Sequence, residues 1–406
     1  DYTYNGTSIT FAAGSVPGGG SLVTVTSRWY YELVSSITAA GLSSGDRFGA
    51  SVSCTVDGRQ VFVGAPYRTE SGLTEAGAVY VFDRNVQKFI STTTSTSASY
   101  TVLGSVTAPV SVVANNVFLI NQTDGVVDGA NSFTVSGNNI TVKTNLIPGS
   151  VVEIETNQFA LLQKITANTV EQFSNFGQAL DICSYSCSLY VGAPQSSVSI
   201  FKGGLVQRSV NQARIYGSIQ STVTNPVLTV GDTLRVNNVD CVVPAATGTV
   251  SSLQGLANNI TALAPNATAT VTDGKLNIFV TLSAAAAVGN KLQVSPGSVG
   301  TAFTDLGFDV FAFTQNIESP YPVDFAGFGS ALTINDTAEN LVISAIKGSQ
   351  YLDILFDVDP LTGFATTIFD ADATIFYSLA AQSGIVYTYD FLNASSASVT
   401  NPGKFI

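Results

Sequence analysis

The residues best placed to do chemistry are acidic. Asp353, Asp357 and Asp359 lead toward Gly363, and carboxylates spaced along a turn that closes on glycine are the hard oxygen ligands of a calcium loop. The match is partial. Position 361 is Leu, and the next acids, Asp370 and Asp372, follow well beyond the glycine. The competing reading is an ordinary acidic turn, as for Asp124-Gly125 and Asp128-Gly129. Cys183 and Cys187, separated by three residues, fit either a bridge across a hairpin or two thiols. No second pair or histidine completes a zinc site. Trp29-Tyr30-Tyr31 could stack on a sugar or bury alternate rings in a strand. Two carboxylates would suffice for glycoside hydrolysis, but spacing singles out no pair.

Composition narrows the rest. The 406 residues contain no His, which removes Ser-His-Asp catalysis, histidine metal sites and histidine pH switches. Charged residues make up 11%, against about 25% in an average soluble domain. The net charge of −12 from 16 basic and 28 acidic residues gives no basic stripe for nucleic acid or anionic lipid. No apolar run is long enough to span a bilayer. There is no Met, even at position 1, so the chain reads as a processed or excised segment.

The elements that must position these residues are mostly strands. Short alternating runs such as Val61-Phe62-Val63 and Ile385-Val386-Tyr387-Thr388-Tyr389 are separated by Gly, Asn and Asp turns. One signature recurs three times. Phe48-Gly49 precedes Gly64-Ala65-Pro66; Phe176-Gly177 precedes Gly192-Ala193-Pro194 at the same spacing; Phe328-Gly329 precedes Ser344-Ala345-Ile346 at that spacing again. Each unit reads as four antiparallel strands. One lies before Phe-Gly (Tyr31 to Thr38, Phe159 to Thr166, Phe311 to Ile317), one after it, one ends in Gly-Ala-Pro, and a fourth follows (Gly77 to Asp83, Val198 to Phe201, Gly384 to Asp390). Four antiparallel strands per repeat is the blade of a β-propeller.

Between the units lie inserts. Tyr4-Asn5-Gly6-Thr7-Ser8-Ile9 parallels Val135-Ser136-Gly137-Asn138-Asn139-Ile140, so two small β modules are expected. The third insert combines a hairpin turned at Asn237-Asn238, a helix over Ser251 to Leu263 stopped by Pro265, and a hairpin turned at Asp273-Gly274. The resulting order is a small β module at 1–28, a blade unit at 29–90, an inserted β module at 91–158, a second blade unit at 159–205, an inserted α/β module at 206–310 and a degenerate third unit at 311–406.

Phe-Gly followed by Gly-Ala-Pro resembles the FG-GAP repeat, the blade type of the integrin α-subunit head. The resemblance implies propeller-like blades and, for some blades, calcium hairpins, for which Asp353, Asp357 and Asp359 are the local candidates. The wider layout is similar to large structural proteins of tailed phages that infect cyanobacteria. It is carried by Thr366-Thr367-Ile368-Phe369-Asp370, by Ser383 to Tyr389 and by the insert from Val230-Gly231-Asp232 to Asp305-Leu306-Gly307-Phe308. That likeness implies a non-catalytic, extracellular or virion structural or adhesive protein without a cofactor. Its expected partners are other structural subunits, as a homo-oligomer or larger assembly, and a host-surface receptor, with no nucleic acid and no membrane span. The alternatives are a filament subunit pairing through edge strands such as Leu22 to Thr26, and a cell-surface adhesin for protein or glycan.

Overall fold

β-Branched and aromatic runs broken by residues that tolerate positive φ fold here as strands and tight turns. The computed structural model describes residues 2–4, 9–11, 36–102, 110–122, 131–184, 187–196, 204–281, 292–319, 327–334, 341–347, 352–359, 365–370, 376–382 and 385–390. The chain is mainly β and divides into Asp1–Ser36 and Ile37–Ile406. Among the described residues, no helix is long and apolar enough to cross a membrane. In the first division, Tyr2–Tyr4 pairs antiparallel with Ile9–Phe11, Tyr4 opposite Ile9. The parallel segment repeats this register within the second division, where Val135 lies opposite Ile140.

Three four-strand arrays in Ile37–Ile406 carry the repeat. The first runs Val52–Cys54, Gln60–Ala65, Ala78–Ile90 and Val151–Ile165. The second runs Leu180–Cys183, Ser188–Ala193, Leu205–Asn211 and Phe311–Glu318. The third runs Leu332–Ile334, Leu341–Lys347, Leu352–Val358 and Ala365–Asp370. All neighbouring strands within these arrays are antiparallel.

This pairing regroups the strands read from the sequence. Phe159 to Ile165 precedes the second Phe-Gly but bonds to the first sheet, with Phe159 opposite Arg84 and Ile165 opposite Val79. Phe311–Glu318 likewise closes the second sheet, with Leu205 opposite Glu318. The second sheet's third strand is Leu205–Asn211; Val198 to Phe201 lies outside the described residues, as do most of Tyr31 to Thr38, Trp29-Tyr30-Tyr31, Leu22 to Thr26, and the two Asp-Gly turns at 124–125 and 128–129. Both inserts therefore leave from the same place, the connection between third and fourth strands.

The first insert grows from its host ribbon. Ala78–Ile90 and Val151–Ile165 run past the repeat sheet, and their far ends pair Val151 with Ile90. Val110–Ala114 joins that end. A second sheet faces it, in the order Ala98–Thr101, Asn139–Lys143, Ser132–Ser136, Ile120–Asn121. Phe133, Ile140, Val142, Leu146, Val152 and Ile154 form a core of their own between them, as two sheets with apolar inner faces must.

The second insert is α/β. Thr233–Val236 and Val239–Val242 form a hairpin whose turn residues Asn237 and Asn238 have φ of 48° and 66°. Ala267–Thr272 and Lys275–Val280 form the other, turned at Asp273-Gly274. The helix Ser252–Leu263 is capped by Ser251, whose side chain accepts from the Gln254 N–H. It buries Leu253, Leu256, Ala257 and Ile260. Leu263, on the apolar stripe by periodicity, stays half exposed, because the helix ends there before Pro265.

Candidate functional site

The repeat motif converges on the seams between sheets. In the second strand of the first sheet, Val63 packs with Phe48-side residues Tyr80 and Phe82, while Phe62 joins the core containing Phe176 and Val191. One unit later, Val191 faces back and Tyr190 faces forward, in a core with Phe328. Alternation along a strand thus gives each sheet one face for the sheet before it and one for the sheet after. Phe48 meets Tyr80 and Phe82 edge-on at 5.5 and 6.2 Å; Phe176 and Phe328 are fully buried.

The glycines follow from this stacking. A Cβ on Gly64 would collide with the backbone carbonyl of Gly177, and a Cβ on Gly192 with that of Gly329. The Phe-Gly glycines, Gly49, Gly177 and Gly329, share φ near +90° (92°, 93° and 90°), where only glycine is relaxed. Each donates its N–H to the carbonyl of the residue fifteen positions on, Gly64, Gly192 or Ser344, at 2.9, 3.0 and 3.0 Å. Ala65, Pro66, Ala193 and Pro194 are buried beside the seam. Serine is accommodated at 344 because its hydroxyl turns into its own sheet. Ser344 Oγ donates to the Ala331 carbonyl at 3.2 Å and accepts from the Ala331 N–H at 3.0 Å.

A polar ladder crosses both seams at one repeat position. Ser53, Asp181 and Thr333 each stand four residues after their Phe-Gly glycine. Asp181 Oδ1 accepts from Ser53 Oγ at 2.8 Å and from the Ile182 N–H at 2.9 Å. Its Oδ2 accepts from Thr333 Oγ1 and the Ile334 N–H, both at 3.0 Å. A carboxylate is acceptor-only, and four donors occupy this one. The arrangement ties three sheets together and leaves no oxygen positioned for proton transfer.

A second polar joint fixes the α/β insert. Asp83, Asn85 and Gln87 alternate on one face of Ala78–Ile90 and are all buried. Opposite them, Arg235 holds Asp240 in a buried two-pronged pair at 3.0 and 3.1 Å. Ser298 Oγ donates to Asp240 at 2.8 Å and accepts from Gln87 Nε2 at 3.2 Å. Gln293 Nε2 donates to Asp83 Oδ2 at 3.4 Å, and the Lys88 N–H donates to the Asn238 carbonyl at 2.7 Å. Burial pushes the Asp83 carboxyl above its usual range, against the attraction of Arg214 and Arg235. Periodicity hides this face, since polar residues at alternate positions read as solvent-facing.

The remaining candidates separate. Cys183 and Cys187 are not bridged; all four cysteines are thiols. Cys183 lies opposite Ser188 in the hairpin register, and Cys187 sits in the turn with φ of 51°, its thiol directed at the Ser184 carbonyl. Burial pushes the Cys241 thiol up to about 12. Asp353 and Asp357 fall within the strand Leu352–Val358, opposite Ile346 and Val342, with Asp359 just beyond it. Gly363, toward which they lead, lies outside the described residues. Among the described residues, no three His, Cys, Asp or Glu converge to hold a metal.

Comparison with known proteins finds the first repeat unit. The model of the FG-GAP repeat matches residues 31–82. No curated protein matches the chain. Among solved structures, a Bacteroides uniformis protein provisionally assigned as a 6-phosphogluconolactonase is 10% identical, with 84% of this chain and 77% of that chain covered, at a TM-score of 0.21. The periplasmic gluconolactonase PpgL of Pseudomonas aeruginosa is 9% identical, with 84% and 78% covered, at a TM-score of 0.20. At those scores the likeness carries no argument about fold or activity.

Proposed function

We propose that the three stacked sheets are consecutive propeller-like blades of the FG-GAP type, and that the chain is a non-catalytic structural or adhesive component of an extracellular assembly, a virion tail or fibre. The observation that carries this reading is that both inserts leave from the same strand connection. A stack built on glycine-tight seams is a stiff scaffold, and modules grafted at one equivalent point are displayed by it. Its partners in this reading are further structural subunits and a host-surface receptor, and it needs no cofactor.

Ser344 shapes how such a scaffold assembles. Where Gly64 and Gly192 admit the backbone of the next sheet, Ser344 carries a side chain. A second copy therefore does not continue the stack through the same glycine seam, which weighs against a filament built by stacking these sheets head to tail.

The test is fractionation. An antibody to the chain should detect it in density-purified particles from the source culture and label their tails or fibres by immunogold. Finding it in cell envelopes and not in purified particles would overturn the virion setting and favour the adhesin.

A further inference from the structure

The α/β insert and the second sheet enclose a cleft of about 680 Å3 that none of the seams uses. Its size falls within the range of small-ligand pockets, about 300–1,000 Å3. Its floor is the sheet formed by Ser218–Gln220 and Lys275–Val280. Ile219 and Ile278 are register partners there and belong to the core on the sheet's other face, so the alternate residues Ser218, Gln220, Asn277 and Phe279 face the cleft. The rim is almost wholly neutral and polar, with Gln212, Ser218, Gln220, Thr222 and Asn277. Gln220 and Asn277 are also register partners, and Gln220 Nε2 donates to Asn277 Oδ1 at 2.7 Å. That bond fixes both amides side by side at the opening.

Two further groups give the cleft a character. Tyr216, at the end of the short helix Gln212–Tyr216, is 65% exposed. The helix closes immediately after it, where Gly217 at φ 65° donates its N–H to the Ala213 carbonyl. The Tyr216 ring is therefore open to a ligand at the mouth of the cleft. Asp309 supplies the one carboxylate of the lining. Gln163, from the first sheet, donates to Asp309 and to the Phe311 carbonyl, and accepts from the Phe311 N–H at 2.8 Å. The carboxylate is thereby held against the cleft wall.

The exposed ring of Tyr216, Phe279, paired amides, hydroxyls and one positioned carboxylate match a ligand with apolar faces and many hydroxyls. Among the described residues no Lys or Arg lines the cleft, so phosphate, sulfate or a sugar acid would leave its charge unpaired beside Asp309. We propose that this cleft binds a short neutral saccharide, with Tyr216 stacking on a sugar ring and Gln220, Asn277 and Asp309 bonding its hydroxyls. The site is independent of the virion setting and of how the blades close.

The experiment is binding of the full chain to an array of neutral and anionic oligosaccharides, followed by calorimetry with the best neutral ligand. The expected result is retention of neutral glycans, with affinity falling at least tenfold in Tyr216→Ala and again in Asn277→Ala. Both positions are on the surface, and circular dichroism of each variant checks that the fold is intact. No binding to any neutral glycan overturns the proposal. So does binding confined to sialylated or sulfated glycans, or binding that both variants keep.

Discussion

Ser53 Oγ lies 2.8 Å from Asp181 Oδ1, although 128 residues separate them. That separation is also the offset between Phe48-Gly49 and Phe176-Gly177, so the two side chains occupy one repeat position in adjacent sheets. Thr333 reaches the other oxygen of the same carboxylate from the third sheet. Asp181 is thus a single point on which three units depend.

Removing it should loosen both seams at once. Asp181→Ala leaves Ser53, Thr333 and the Ile334 N–H without their acceptor, a loss of about 3 kcal/mol on the scale of bonds to a charged group. Asp181→Asn should cost less, because one oxygen still accepts. Urea unfolding of the two variants measures this; an Ala variant within about 0.5 kcal/mol of the parent would show that the ladder is not a tie.

The seam glycines should be intolerant of a single methyl group. Gly64→Ala and Gly192→Ala place a Cβ against the backbone carbonyls of Gly177 and Gly329. Backbone cannot move aside as a side chain can, so each should cost about 2–3 kcal/mol. Ser344→Gly should cost only about 1 kcal/mol from flexibility and one lost hydroxyl. Equal effects at all three positions in the same unfolding assay would contradict the seam.

The thiols should be distinguishable without reductant. Cys54 is exposed, while Cys183, Cys187 and Cys241 are buried, and a thiol titrating at about 12 carries almost no thiolate at neutral pH. Maleimide labelling of the native chain followed by mass spectrometry should show one adduct, rising to four in denaturant. A ceiling of two adducts in denaturant would reveal a disulfide.

Asp83 should give the joint a pH dependence of known sign. Its folded carboxyl titrates above the usual 3.8 because burial disfavours the charge. Between the unfolded and folded values the folded chain holds the extra proton, so this group's contribution to stability falls as pH rises through that window. Asp83→Asn should abolish that slope and stabilise the chain at neutral pH by about 1 kcal/mol. Thermal unfolding of both proteins at acid and neutral pH tests it, and a variant less stable than the parent at neutral pH would reverse the assignment.

Much of this molecule follows from residues close together in the chain. The Asn237-Asn238 and Asp273-Gly274 turns, the helix from Ser252 to Leu263 and the equal spacing of the three Phe-Gly pairs are local facts. Each rests on backbone angles that a few side chains permit and on apolar periods along one element. Which strand completes which sheet was decided elsewhere. Phe159 to Ile165 has the same local signature whether it opens the second sheet or closes the first. Only burial against Val79 and its neighbours, across an insert that brings residues 80 and 164 together, selects the second arrangement. The convergence on Asp181, the buried face of Asp83 and Gln87, and the cleft beside Tyr216 have the same origin. They join residues far apart in sequence, and their energies arise only when packing excludes water between them.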